Sequence, residues 1–238
     1  MNGYMINKKE IEESSKIYKI FDYVMCPSDF VYDSFLKYGF KKSQLIKMPY
    51  GVDIKKFTSP KNKKVNKKIR FVFVGSIQLR KGIQYLLQAW KELNLENAEL
   101  IVVGRVWPDA QEIIKKYSGL KNVKFMGFAK PEEILKDSDI FVSPSLEEGS
   151  ALTCYEAMVS GLPVIVTYET GSVVRDKKEG FIIPAGNIKS LKEKINFFYN
   201  NPKQIDKMGK LARKYIKKFT WEDYGKRLGK FYQEILGR

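Results

Sequence analysis

The sequence predicts a doubly wound α/β fold, a parallel sheet with helices covering both faces. Short, apolar, β-branched runs recur along the chain, at Ile69–Val74, Leu100–Val103, Val123–Met126, Ile140–Val142, Pro163–Val166 and Phe181–Ile183. Amphipathic segments of helical period alternate with them, at Gly82–Leu93, Asp109–Tyr117, Pro131–Lys136 and Ala151–Ser160. The runs are apolar throughout and do not alternate in polarity, which is the pattern of strands buried on both faces. Right-handed crossovers between such strands give a Rossmann-like domain.

The elements around this core follow in order. Ile11–Ile20 has helix-like spacing, and Asp22–Met25 within FDYVMC reads as a short strand. Pro27-Ser28 opens a helix, with Ser28 as N-cap of Asp29–Tyr38 and Gly39 as its stop. Leu45–Met48 reads as a strand and Tyr50–Asp53 as a turn. So little chain cannot hold a core of its own, so residues 1–58 read as the tail of another domain plus a hinge. A lysine-rich stretch follows, with Lys61, Lys63, Lys64, Lys67, Lys68 and Arg70 after Pro60, and looks like a solvated linker into residues 59–219. At the other end, residues 220–238 read as a helix whose N-terminus is capped within Thr220-Trp221-Glu222-Asp223. Its apolar stripe of Trp221, Tyr224, Leu228, Phe231, Tyr232 and Ile235 must dock on something.

Composition narrows the functional classes. With 44% hydrophobic and 29% charged residues in 238, a packed core is expected and global disorder is excluded. No apolar run approaches the about 18 residues that a membrane span needs. The opening residues MNGYMINKKEIEESSK contain no apolar segment of the secretory type, so a cytoplasmic location is expected. Cys26 and Cys154 cannot form a disulfide framework, and neither has a neighbour at metal-ligand spacing. The chain has no histidine, which excludes Ser-His-Asp and Cys-His mechanisms and His-based metal sites within it. The 43 basic and 27 acidic side chains give a net charge of +16. That charge fits either a lysine-rich surface kept soluble or an anionic partner: nucleic acid, the anionic inner face of a membrane, or an anionic ligand.

In an open parallel sheet a ligand sits beyond the carboxyl ends of the strands, so the loops there carry the chemistry. After the first run comes Gly75-Ser76-Ile77-Gln78-Leu79-Arg80-Lys81-Gly82. A glycine after a strand admits close approach of a ligand, and a helix N-terminus attracts anions. Arg80 and Lys81 at that entrance could neutralise phosphate, or be two solvated cations before a surface helix. The loop is neither a Walker A nor a GxGxxG motif. The fourth loop runs from Pro144 through Glu147, Glu148, Gly149, Ser150, Ala151, Leu152 and Thr153 to Glu156. Amides of Gly149–Thr153 would point at a ligand. Glu148, in the loop, and Glu156, about two turns into the helix, would meet different parts of an extended one. Acids eight residues apart also recur by chance in a chain with 27 of them, and acids decorate helix starts in any case.

Taken in order, these motifs resemble the C-terminal half of a retaining glycosyltransferase of family 4, with the GT-B fold. YGVD before Phe57 resembles the hinge that opens the second domain. FVGS with RKG resembles the first-strand phosphate loop, and LIVVG and VKFMGF the next two strands. SDIFVSPSLEEGSALTCYEAMVSGLPVIVT resembles the signature with two glutamates separated by seven residues, and EGFIIP with the following helix closes the domain. The resemblance implies a nucleotide diphosphate sugar as donor, transfer to an acceptor hydroxyl, and no metal cofactor. Glu156 would hold the ribose hydroxyls and Glu148 the donor sugar. Lys81, helped by Arg80, would neutralise the diphosphate. Gly75 and Ser76, with the amides of Ser150, Ala151, Leu152 and Thr153, would meet phosphate, and the backbone of Gly127 and Phe128 would line the base. The family often has arginine directly after the first-strand glycine, where this chain has Ser76.

The resemblance also implies a second Rossmann-like domain, of which residues 1–58 match only the end. Its glycine-rich loop and histidine have no counterpart here. The chain therefore reads as a truncated piece, a split half needing a partner subunit, or a donor-binding remnant. The helix from Trp221 matches one that crosses back onto that other domain, so self-association or a partner is expected there. The function expected is sugar transfer to a glycan or lipid-linked acceptor in surface or envelope glycan synthesis. The alternative is a non-catalytic nucleotide-sugar binding module. Nucleic acid binding is not expected, since no aromatics interleave a basic stripe and no RNA-binding motif is present.

Overall fold

The computed structural model describes residue 13, residues 16–58 and residues 68–237. The first part is a small βαβ unit of β1 (Val24–Cys26), α1 (Asp29–Lys37) and β2 (Leu45–Lys47), its two strands parallel. Val24, Cys26, Phe40 and Leu45 make its own small core. Ser28 caps α1 as the sequence indicates, accepting from the Val31 amide at 3.2 Å. Of the helix-like Ile11–Ile20 stretch, residues 16–18 are helical, and most of the remainder lies outside the described residues, as does most of the lysine-rich linker.

The second part is a six-stranded parallel sheet built from β3 (Ile69–Val74), β4 (Ala98–Val103), β5 (Val123–Phe125), β6 (Ile140–Ser143), β7 (Val164–Thr167) and β8 (Gly180–Ile183). Their spatial order is β5-β4-β3-β6-β7-β8, so the strand order reverses between β3 and β6. Alternate residues of each strand enter opposite layers. Phe71, Phe73, Leu100 and Val102 pack under α2 (Ile83–Leu93), the Tyr117 end of α3 (Gln111–Tyr117) and α6 (Ile188–Asn200). Val72, Val74, Ile101 and Val103 pack under α4 (Pro131–Lys136) and α5 (Leu152–Val159). This two-sided burial is the physical reason the strands are apolar throughout.

The last two helices close the fold. α7 (Pro202–Ile216) places Ile205 and Met208 in the first core and Ala212 and Ile216 in the second, so it runs past the β8 edge from one layer to the other. α8 (Trp221–Leu236) starts on a capping box in which the Thr220 hydroxyl accepts from the Asp223 amide at 3.0 Å. The hinge turn lies against this start. The Val52 amide donates to the Phe219 carbonyl at 2.9 Å, and a Cβ on Gly51 would come within 2.5 Å of the Trp221 backbone.

Two sequence expectations need correction. Arg70 is not part of a solvated linker. It lies in β3, half-buried, with Nε 2.7 Å from the Glu99 carboxylate, because its neighbour strand presents an acid at the register position. Glu156 stands a little over one turn into α5, not two. Gly149–Ala151 stay non-helical, with Ala151 at φ −74° and ψ 100°, and the helix begins at Leu152.

Candidate functional site

The carboxyl ends of β3 and β6 meet at the point where the strand order reverses, and a cleft opens above them. Its volume is 230 Å³, and its walls include Gly75 and Lys81 from the loop after β3 and Glu148 and Ser150–Thr153 from the loop after β6. Seven of the residues singled out from the sequence therefore share one cavity.

Backbone contacts lock the two loops together. The Arg80 carbonyl accepts from the Leu146 amide at 2.8 Å and from the Glu147 amide at 3.3 Å. Gly82 has φ +73°, and a Cβ there would collide with the Pro144 carbonyl, so only glycine lets the chains approach this closely. Leu79–Lys81 forms a 3₁₀ turn before α2, tied by the Leu79 amide to the Asp109 carboxylate at 3.0 Å. Beneath the fourth loop a buried hydroxyl network holds its base. Thr167 donates to the Ser145 carbonyl at 2.6 Å and Thr170 to the Ser143 carbonyl at 2.9 Å.

Within this frame Lys81 and Glu148 form an ion pair, and Arg80 Nη1 lies 3.4 Å from Glu148 Oε2. Both side chains of the pair are largely covered, 14% and 19% exposed, whereas Arg80 is half in solvent. Burial, and then the neighbouring Arg80 guanidinium, pull the Lys81 ammonium down to about 8, with Glu147 opposing. Lys81 is thus still a cation at neutral pH.

The third contributor is the start of α5. Ala151 cannot cap it with a side chain, unlike Ser28 on α1 or Thr220 on α8. The Ala151 amide is engaged by the Thr170 carbonyl at 3.1 Å, which corrects the expectation that every amide from Gly149 to Thr153 faces a ligand. The first-turn amides at Leu152 and Thr153 stand on the cavity wall, where an anion would complete them.

Five predicted residues lie outside the cavity lining. Arg80 stands at its rim, and Ser76 follows Gly75 on the way out. Gly127 and Phe128 lie on the loop between β5 and α4, where the Gly127 carbonyl accepts from the Gly104 amide at 2.8 Å and Phe128 is 92% exposed. Glu156 is one turn along α5 from Leu152 and half-buried. Burial pushes its carboxyl up, Glu132 adds to the rise and Lys56 opposes it. Lys56 and Glu132 pair at 3.6 Å, and sequence reading missed both as neighbours of Glu156. Their one signal was Lys56's place beside the hinge motif. Also unread was the contact across the two parts of the chain. The Ser28 hydroxyl donates to the Gly149 carbonyl at 2.7 Å, so the N-cap of α1 touches the loop that carries Glu148.

Among the described residues no cluster of three or more acids, cysteines or histidines stands ready for a metal ion, and no helix is long and apolar enough to cross a membrane. Comparison with known proteins matches residues 54–215 to the family described as Glycosyl transferases group 1. Spore coat protein SA of Bacillus subtilis is 31% identical over 181 residues, 68% of this chain and 48% of that protein. The capsular polysaccharide biosynthesis glycosyltransferase CapM of Staphylococcus aureus is 27% identical over 214 residues, 84% of this chain and 56% of that protein. The chain spans about half the length of the curated relatives it matches. Among solved structures, Anabaena HepE in complex with UDP-glucose has a TM-score of 0.84 at 17% identity, covering 96% of this chain and 68% of that one. Sucrose-phosphate synthase from Thermosynechococcus elongatus has a TM-score of 0.83 at 22% identity, covering 97% and 62%. Both share the GT-B architecture.

Proposed function

Since this chain belongs to the group 1 glycosyl transferases, we propose that it is the donor-binding half of one. In this reading it holds a nucleotide diphosphate sugar while the sugar passes, with retention, to an acceptor hydroxyl. The observation that carries the reading is the cavity at the strand reversal. It joins a half-dry cation, Lys81, a carboxylate, Glu148, and an uncapped helix start in one anion-sized space.

The chemistry follows from charge. As the glycosidic bond breaks, negative charge grows on the leaving diphosphate. In this reading Lys81 and Arg80, once they give up their pairing with Glu148, stabilise it together with the Leu152 and Thr153 amides. The leaving phosphate is then the group nearest the acceptor hydroxyl and takes its proton, so neither a histidine nor a metal is required of this half. Glu148, released from Lys81, accepts from hydroxyls of the donor sugar. Glu156, deeper along α5, accepts from the ribose. CapM, named for capsular polysaccharide synthesis, is consistent with an envelope glycan as product.

Calorimetric titration tests this division of labour. Glu156→Ala should weaken a nucleoside diphosphate and its sugar conjugate alike, by about 1.5–3 kcal/mol, the range for hydrogen bonds to a charged group. Glu148→Ala should leave the bare nucleoside diphosphate bound at least as tightly as before, because Lys81 and Arg80 lose a competing anion, while the sugar conjugate weakens. Equal losses for both ligands in both variants would overturn the assignment. Donor affinity that collapses in chelator would overturn the metal-free reading.

A further inference from the structure

The outer face of α7 carries a row of unopposed charge. Lys203, Lys207, Lys210, Lys214 and the C-cap Lys217 are all exposed, and their 4-3-4-3 spacing puts them on one side of the helix. At a rise of about 1.5 Å per residue the row is about 21 Å long. The opposite side buries Ile205, Met208, Ala212 and Ile216, so the row faces straight out. None of the five lysines has an ion-pair partner among the described residues. Neighbouring helices are arranged otherwise. On α8, Lys226 pairs with Glu222 at 2.7 Å and Lys230 with Glu234 at 3.7 Å, and on α6, Lys192 pairs with Glu92 at 2.6 Å. Asp206 is the one acid on α7, and it lies beside the row.

Two further features extend this face. Leu211, 40% exposed, flanks the row one turn from both Lys207 and Lys214. At the C-terminal end, the Tyr215 ring has Lys218 at 5.7 Å and Arg175, which is itself paired with Glu179, at 3.9 Å; of the exposed Lys177 and Lys178 that follow, Lys177 has Asp176 at 3.9 Å. The face covers the β8 edge of the sheet, whereas the cavity opens at the carboxyl ends of the strands. A broad surface lying on α7 would therefore leave the cavity mouth clear.

We infer that the outer face of α7 is a docking surface for an anionic lipid bilayer, with the lysines at the phosphate level and Leu211 entering the headgroup region. A straight, convex row of flexible lysines with one aliphatic side chain on its flank suits a plane of diffuse charge. A nucleic-acid site would call for a groove or for stacking side chains, and the row contains no exposed aromatic.

The test is co-sedimentation of the full chain with phosphatidylcholine vesicles, with and without about 30% phosphatidylglycerol, at rising salt. Binding should need the anionic lipid and weaken as salt is added. Each lysine near such a surface contributes a factor of about 5, so the triple variant K207Q/K210Q/K214Q should bind on the order of 100-fold more weakly. The triple variant K91Q/K115Q/K121Q, at exposed lysines elsewhere, should bind like the parent. Leu211→Asp, which keeps every lysine, should weaken binding several-fold and guards against a misfolded triple variant. The inference falls if the parent ignores anionic vesicles or if the α7 triple variant binds them as the control does. It falls equally if the α7 triple variant loses polyuridylate binding while keeping vesicle binding, which would make the row a nucleic-acid surface.

Discussion

Lys81 makes the charge in the cleft adjustable. With its ammonium near 8, it is charged at neutral pH and loses its proton a little above that, far below the usual lysine range. Only the charged form attracts a diphosphate, so affinity for a nucleoside diphosphate should be constant below about pH 7 and fall as pH rises through 8. The bound anion raises the ammonium's pKa, so the loss should approach tenfold per pH unit until that higher value is reached. Titration between pH 6.5 and 9.5 checks this, and Lys81→Arg, charged throughout, should flatten the profile. A decline of equal slope in that variant would assign the proton elsewhere. At this scale, sequence could find residues next to strand ends, because the fold dictates that those loops face the ligand. Lys81, Glu148 and Gly75 were legible for that reason. Lys56 and Glu132 were not, because their contact with the Glu156 region comes from chain folding across about 100 and about 25 residues.

Helix starts show which elements can be read and which cannot. Ser28 and Thr220 mark α1 and α8 because a hydroxyl at the N-cap satisfies an amide wherever it occurs. The start of α5 carries no such mark, and the first turn was misplaced by a residue. The missing cap is what leaves its amides on the cavity wall. Most strand boundaries were close, since apolar runs end where the sheet ends. α6 and α7 were read only as a closing helix, because their lysines obscure the buried positions Leu191, Ile195, Met208 and Ala212. The cap on α8 can be tested directly. Thr220→Ala removes the hydroxyl that accepts from the Asp223 amide and contacts its carboxylate at 2.7 Å. The expected cost is about 1 kcal/mol, or about 2–4 °C in melting temperature for a chain of this size. Thr220→Ser should recover most of it. An unchanged melting temperature for the alanine variant would show that the hinge contact through Val52, and not the cap, holds this junction.

On the scale of the whole molecule, the small βαβ unit and α8 leave apolar surface uncovered together. α8 has no buried residue. Its contacts are edge-on or tilted ring pairs, Phe231 with Tyr23 at 5.3 Å and Trp221 with Tyr50 at 6.4 Å, and Arg227 donating to the Pro49 carbonyl at 2.7 Å. Tyr232, Ile235 and Leu236 remain 51%, 40% and 65% exposed, and Ile17, Ile20 and Phe21 are exposed on the βαβ side. The docking anticipated from the helical stripe is therefore only partly met within the described residues. Large contiguous apolar patches are rare on soluble monomers and mark association surfaces. The isolated chain should self-associate at micromolar concentration through this patch, which sedimentation velocity would show as a concentration-dependent shift. Ile235→Glu should return it to monomer, since a charge at an exposed position disrupts the contact and leaves the fold intact. The membrane face on α7 is formed by different residues, so the same variant should keep its vesicle binding. A parent chain that sediments as a monomer across that range would show that the βαβ unit and α8 satisfy one another, with the remaining apolar atoms tolerated in water.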